Sequence, residues 1–154
     1  MSEVEKRLAE HGITLPEVGA PVANYVPAVR SGNLVFVSGQ GPTENGEPVF
    51  RGLVGGAVSE EHGYDAARLC AINCVAALKY GVGDLDRVTR IVKILGFVAS
   101  TDDFERQPFV MNGASDLLTL AFGDAGKHAR SAIGTSKLPF DFPVEVELIA
   151  EVGD

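Results

Sequence analysis

Arg87-Val88-Thr89-Arg90-Ile91-Val92-Lys93-Ile94-Leu95-Gly96-Phe97-Val98-Ala99-Ser100 is the stretch on which the fold turns. Branched and aromatic side chains crowd it, which suits a pleated, packed strand. From Ile91 to Val98 the apolar residues fall on odd and even positions alike, so both faces of this strand should be covered. A helical pattern lies on either side of it. Upstream, Ser59 or Glu60 opens a helix expected to reach about Tyr80 and to stop at Gly81. Ala66, Leu69, Cys70, Asn73, Cys74, Ala77 and Leu78 fall near one stripe of it. Downstream, Asp102 or Asp103 caps a helix expected over 104–122, with Gly123 ending it.

Working outward, residues 25–29 and 34–38 form a hairpin around the turn signal Arg30-Ser31-Gly32-Asn33. Pro27 has no N–H to give to a ladder, which puts the first strand at an edge. Ser38-Gly39-Gln40-Gly41-Pro42 should break the second strand. A loop through Asn45-Gly46 leads to a short strand expected over 48–53, and Gly55-Gly56 makes a second break. Strands over 130–135 and 144–152 close the chain. An amphipathic helix over 3–11, ended by Gly12, and a connector over 15–23 precede everything else. The order ββ(β)αβαββ reads as an α+β fold: a mixed sheet with two long helices on one face, in one domain spanning 1–154. Two helices leave the other face of the sheet bare. The doubly apolar strand therefore implies a symmetric oligomer packed sheet to sheet, the alternative being a cover of loops.

Composition narrows the function classes. Hydrophobic residues are 45% and charged residues 22%, unlike a disordered segment. The start, Met1-Ser2-Glu3-Val4-Glu5-Lys6-Arg7, has no apolar core, and no run approaches the roughly 20 residues of a spanning helix. A soluble cytoplasmic protein without a membrane partner is expected. The net charge of −8 repels phosphate backbones, and Arg87, Arg90 and Lys93 are diluted by Asp84 and Asp86, so nucleic acid is disfavoured. Cys70 and Cys74, four apart on a helix, read as core residues rather than a disulfide or zinc pair. His11, His62 and His128 have no metal-ligand spacing, and neither a metal nor a cofactor is expected.

One charged residue stands out. In His128-Ala129-Arg130-Ser131-Ala132 an arginine opens a strand, and a second strand, Val144-Glu145-Val146-Glu147-Leu148, follows at once. A recessed Arg130 would anchor a small organic acid through its planar fork of donors; the bland alternative is an ion-paired surface arginine.

From about Tyr25 onward the chain resembles the RidA/YjgF family of imine/enamine deaminases. The matching segments run in order: residues 32–40, Asn45-Gly46-Glu47, Asn73 with Ala76-Ala77-Leu78 and Gly81, Asp84-Leu85-Asp86-Arg87-Val88, Phe97-Val98, Asp103-Phe104, Ala129-Arg130-Ser131, Leu138-Pro139 and residues 144–150. The resemblance implies a chorismate-mutase-like fold and a homotrimer with clefts between subunits. It implies that Arg130 clamps a substrate carboxylate and that Tyr25, Ser38 and Gly39 line the cleft. Asn112 would support the site, and Glu145 would help hold the attacking water. The implied partner is a small carboxylate metabolite, a 2-imino or 2-oxo acid. The implied reaction needs positioning and electrostatics rather than a strong nucleophile.

Pattern alone says less. Tyr25 fits simple packing, Ser38-Gly39 a strand-end turn or bulge, Glu145 a solvent-facing strand residue, and Asn112 a helix residue with a local hydrogen bond. Ala132 stands where many members have cysteine, and the chain departs from the typical pattern after Tyr25 and between residues 55 and 61. It also carries the additional amino-terminal helix, which sets it in a longer branch. Hydrolytic deamination of reactive 2-imino or 2-enamino acids is the first expectation. A trimer that binds carboxylates without turnover is the second, and an endoribonuclease the third.

Overall fold

The structure, a computed structural model, describes residues 1–19 and 23–154. The connector expected over 15–23 therefore lies partly outside the described residues. The first element is α1 (Glu3–Glu10), set by a capping box: the Ser2 hydroxyl accepts from the Glu5 N–H while the Glu5 carboxylate takes the Ser2 N–H. Then come β1 (Ala28–Ser31), β2 (Leu34–Gln40), and the two-residue strands β3 (Thr43–Glu44) and β4 (Glu47–Pro48). The long helix α2 (Glu60–Val82) is followed by β5 (Val88–Ala99), α3 (Gln107–Phe122), β6 (Ala129–Thr135) and β7 (Val144–Val152).

Five strands form one mixed sheet in the order β1-β2-β7-β5-β6. Only β5 and β6 run parallel, joined by the crossover through α3; the other neighbours are antiparallel. Helix α2 lies over β2 and β7, and α3 lies beside it toward β5 and β6, both on one face. The period of two in β7 shows the division most plainly. Val144, Val146, Leu148, Ala150 and Val152 are buried under the helices, whereas Glu145, Glu147, Ile149 and Glu151 point to the other face.

The doubly apolar reading of β5 has two physical origins. Its pairing with β7 shifts between Val88 and Arg90 and again between Ile91 and Lys93. Each bulge changes the phase, so Ile91 and Ile94, three apart, both enter the helix-covered core. Beyond the second bulge the alternation is regular, and Leu95 and Phe97 turn to the uncovered face, half-buried. Register places them in a common surface with Val29, Phe36, Ile133 and Ile149. Val29, Phe36 and Ile133 are 53%, 43% and 46% exposed within one chain, so loops do not cover this face.

Several expected boundaries move, each for a local reason. β1 starts at Ala28, leaving Tyr25-Val26-Pro27 outside the strand, although it is the edge strand that Pro27 suggested. β2 does not break at Ser38-Gly39; it continues to Gln40 through a bulge opposite β7. The strand expected over 48–53 is replaced by the β3–β4 hairpin, whose Asn45-Gly46 turn has positive φ at both residues. Helix α2 passes Gly81 and stops at Gly83, where φ is +79°. Gly81 is there for clearance: a Cβ on it would meet the Ala28 side chain at 2.9 Å. Helix α3 begins at Gln107 without a side-chain cap, because Asp103 instead accepts from the Thr101 hydroxyl at 2.8 Å. Gly123 ends it as expected.

Helix α1 closes the far ends of both long helices. Val4 and Leu8 are buried with Ile13, the Arg7 Nη1 donates to the Ala121 carbonyl in the last turn of α3, and Glu5 pairs with Lys79 in the last turn of α2. Cys70 and Cys74 are buried core residues, as expected. Burial pushes both thiols up, and each donates to a carbonyl of β7, Val144 or Val146.

Candidate active site

Arg130 occupies β6 with Ile94 and then Leu148 beside it across the ladder, both buried on the helix-covered side. Its side chain therefore turns toward α3. There the spacing 108, 112, 115 sets one stripe of the helix against it. Nη1 donates to the Asn112 Oδ1 at 2.9 Å and to the Ser115 Oγ at 3.1 Å, and Nη2 donates to the Pro108 carbonyl at 3.2 Å. A guanidinium has five N–H donors, so Nε and the second hydrogen of Nη2 remain without an acceptor among the described residues. No carboxylate pairs with Arg130 among those residues. Every acceptor it uses is neutral. The cation keeps its charge and two donors for something else, which is the opposite of an ion-paired surface arginine.

A second group of expected residues assembles on the other face of the sheet. Glu145 is paired across the ladder with Phe97 and lies against the bulge of β2. A Cβ placed on Gly39 would approach the Glu145 Oε2 at 3.0 Å, so the glycine leaves the space the carboxylate fills. Burial raises the Glu145 carboxyl above the ordinary glutamate range, and neighbouring Glu147 adds to the shift. One residue away from Gly39, the Ser38 hydroxyl donates to the Val26 carbonyl at 2.7 Å and the Ser38 N–H donates to the Pro27 carbonyl at 2.9 Å. These bonds pin the segment carrying Tyr25, which is itself 49% exposed.

Thus one chain brings together Arg130 with Asn112, and separately Ser38, Gly39 and Glu145 beside the Tyr25 segment. It does not join the two groups, which lie on opposite faces of the sheet. Sequence reasoning missed the other groups on the arginine: the Pro108 carbonyl, Ser115, and His128 beyond it. For Pro108 and Ser115 the helical spacing from Asn112 held the signal, whereas His128 lies beyond the end of α3 and no spacing pointed to it.

The family model described as "YjgF/chorismate_mutase-like, putative endoribonuclease" matches residues 5–152. The chain belongs to the YjgF/chorismate-mutase-like family.

Among its relatives, Protein TCP17 of Trypanosoma cruzi is 42% identical over 152 residues, covering 98% of this chain and 95% of that protein. The protein Atu1372 of Agrobacterium tumefaciens is 46% identical, with a TM-score of 0.92 over 97% of this chain and 92% of that one. The structure of TdcF from E. coli, solved with bound serine, is 27% identical, with a TM-score of 0.64 over 92% of this chain and 97% of that one. Coverage this complete in TCP17 means that most of the amino-terminal helix and connector has a counterpart there. Within the YjgF/chorismate-mutase-like family, TCP17 thus matches this chain through the amino-terminal segment as well.

Proposed function

We propose that the protein hydrolyses reactive 2-imino and 2-enamino acids. The enamine tautomerises to the imine, water adds across C=N, and loss of ammonia leaves the 2-oxo acid. The observation that carries this reading is the hydrogen bonding of Arg130: a guanidinium oriented by neutral acceptors, with two donors left for a ligand carboxylate. A carboxylate ligand also fits the serine bound by the related TdcF. Glu145, the half-buried carboxylate of raised pKa beside Gly39, is suited to hold the attacking water and accept its proton.

Arg130 and Glu145 sit on opposite faces of one sheet, so a complete site takes Arg130 from one subunit and the Ser38–Gly39–Glu145 group from the next. A homotrimer built on the uncovered apolar face supplies such an interface. Tyr25 on its pinned segment lines the cleft, and Asn112 keeps the arginine in place. The whole chain, residues 1–154, acts as one domain in this assembly.

The test is turnover of imines generated in situ by an amino-acid oxidase, followed as faster release of 2-oxo acid and ammonia. Binding of pyruvate without any acceleration would leave the carboxylate-binding trimer, the reading that Ala132 in place of the frequent cysteine favours. The net charge of −8 speaks against RNA as substrate, and an RNA-cleavage assay on the same preparation checks it.

A further inference from the structure

Behind Arg130 lies a chain of hydrogen bonds that the proposed reaction does not itself require. Ser115 Oγ, which accepts from Arg130 Nη1 at 3.1 Å, is 2.9 Å from His128 Nε2, and His128 Nδ1 is 2.6 Å from the Gly126 carbonyl. A carbonyl can only accept, so Nδ1 carries a hydrogen. A ring that carries its hydrogen on Nδ1 offers Nε2 as an acceptor, and the Ser115 hydroxyl donates to it. With its hydrogen directed to the imidazole, the Ser115 oxygen turns a lone pair to the guanidinium. A serine inside a helix more often bonds the carbonyl one turn back, as Thr119 does here with Ser115 O at 3.1 Å. Ser115 is diverted from that habit by the histidine. Gly126 is itself fixed: a Cβ there would meet the Leu118 carbonyl oxygen at 2.2 Å, so the turn after α3 lies tightly against the helix.

We propose that Ser115 and His128 are positioning residues that hold Arg130 ready for its ligand, a proposal that rests on Arg130 being the carboxylate anchor. Asn112 and Ser115 occupy both hydrogens of Nη1, and Pro108 takes one of Nη2, so the plane of the guanidinium is set before a carboxylate arrives. The ligand then meets the Nε–Nη2 edge of an arginine whose rotamer freedom is already spent, which favours affinity. No carboxylate takes part in the relay, so the orientation is gained without an opposing negative charge. A ligand carboxylate is planar and pairs with such a fixed edge through two parallel hydrogen bonds.

The experiment compares pyruvate binding by titration calorimetry in the intact protein and in Ser115→Ala, His128→Phe, the double variant, His128→Gln and Arg130→Ala. Each single relay change should weaken binding roughly five- to twenty-fold, with the oligomer and melting temperature near those of the parent. The double variant should be no worse than the poorer single one, because one chain of bonds is broken in either case. His128→Gln, whose amide oxygen can take the place of Nε2, should recover part of the loss. Pyruvate binding at the parental level in both single variants, or additive losses in the double one, overturns the relay while leaving the anchor standing. Parental binding by Arg130→Ala overturns the anchor, and the relay's role falls with it. Two-bond nitrogen–proton spectra of the unmodified protein give a check that needs no variant to fold. The Nδ1–H tautomer of His128 is expected, and the Nε2–H tautomer would overturn the proposal.

Discussion

Arg130 and Glu145 differ in what surrounds their charge, and that difference sets what each can do. Arg130 has neutral partners and spare donors. Replacing it with alanine should cost pyruvate binding on the order of 2–5 kcal/mol, because a charge-assisted pair in a sheltered cleft is lost. Arg130→Lys should lose nearly as much, since an ammonium keeps the charge without the planar fork. Calorimetry on both variants is decisive, and parental affinity in Arg130→Ala would refute the anchor. Glu145 has a carboxyl raised by burial and then by Glu147. A folded-state pKa above the unfolded value means that its contribution to stability is fully present below the unfolded pKa and lost as pH rises through the folded one. At pH 7, above the ordinary glutamate range, the half-buried carboxyl therefore opposes folding. Glu145→Gln should raise the melting temperature at that pH while it slows imine turnover and leaves pyruvate affinity nearly unchanged. Equal losses of rate and affinity would instead make Glu145 part of the binding machinery.

At the scale of elements, α1 shows how short a segment can matter when it is well tied. Its Glu5 carboxyl is held at about 2, against the usual 4.5, first by the hydrogen bond from Lys79 and next by the Ser2 backbone N–H. A depressed folded-state pKa gives stability that is present above the unfolded value and is lost as pH falls toward 2. For a solvent-screened pair the amount is about 1 kcal/mol or less. Urea unfolding of the parent and Glu5→Gln should therefore differ at pH 6 and converge toward pH 2. A gap that stayed constant over that range would remove Glu5 from the account. The elements also show how far local pattern reaches. The span of β7 agrees with its sequence reading because its alternation is uninterrupted and one face is buried. The start of α3 does not: Asp102 or Asp103 is the expected cap, but Thr101 already engages Asp103 and the helix begins at Gln107. Capping residues announce a helix only if no nearer donor claims them.

For the whole molecule, the uncovered face of the sheet governs the outcome. Val29, Phe36, Leu95, Phe97, Ile133 and Ile149 share it with Glu145, Glu147 and Glu151. The proposed trimer is built on this face, since a contiguous exposed apolar surface favours association. Light scattering at micromolar concentration should return the mass of three chains. Phe36→Glu should give a folded single chain by circular dichroism, since Phe36 is 43% exposed before assembly, and it should abolish the trimer. It should also abolish imine turnover, because Arg130 and Glu145 would no longer meet. A parent that scatters as a monomer would end the interfacial reading of the site.

The alternation of β7, the helix stripe of α2, the hairpin turn and the order of elements were legible in the chain because each depends on neighbours a few residues apart. Arg130 stands out by the chemistry of its own side chain, whereas the site roles of Tyr25, Asn112, Ser38, Gly39 and Glu145 come from a colinear resemblance to a family; the alternation of β7 by itself makes Glu145 solvent-facing. Only the tertiary structure decided the rest. The bulges of β5 bring Ile91 and Ile94 to one side, a phase change set by its pairing with a strand over 50 residues away in the chain. The neutral partners of Arg130 come from α3 and explain why its charge is available, which no spacing around residue 130 could reveal. The separation of Arg130 from Glu145 onto opposite faces is likewise a matter of sheet order. Sequence carries period and local chemistry, whereas the meeting of distant side chains is fixed by register and packing, which are properties of the folded sheet as a whole.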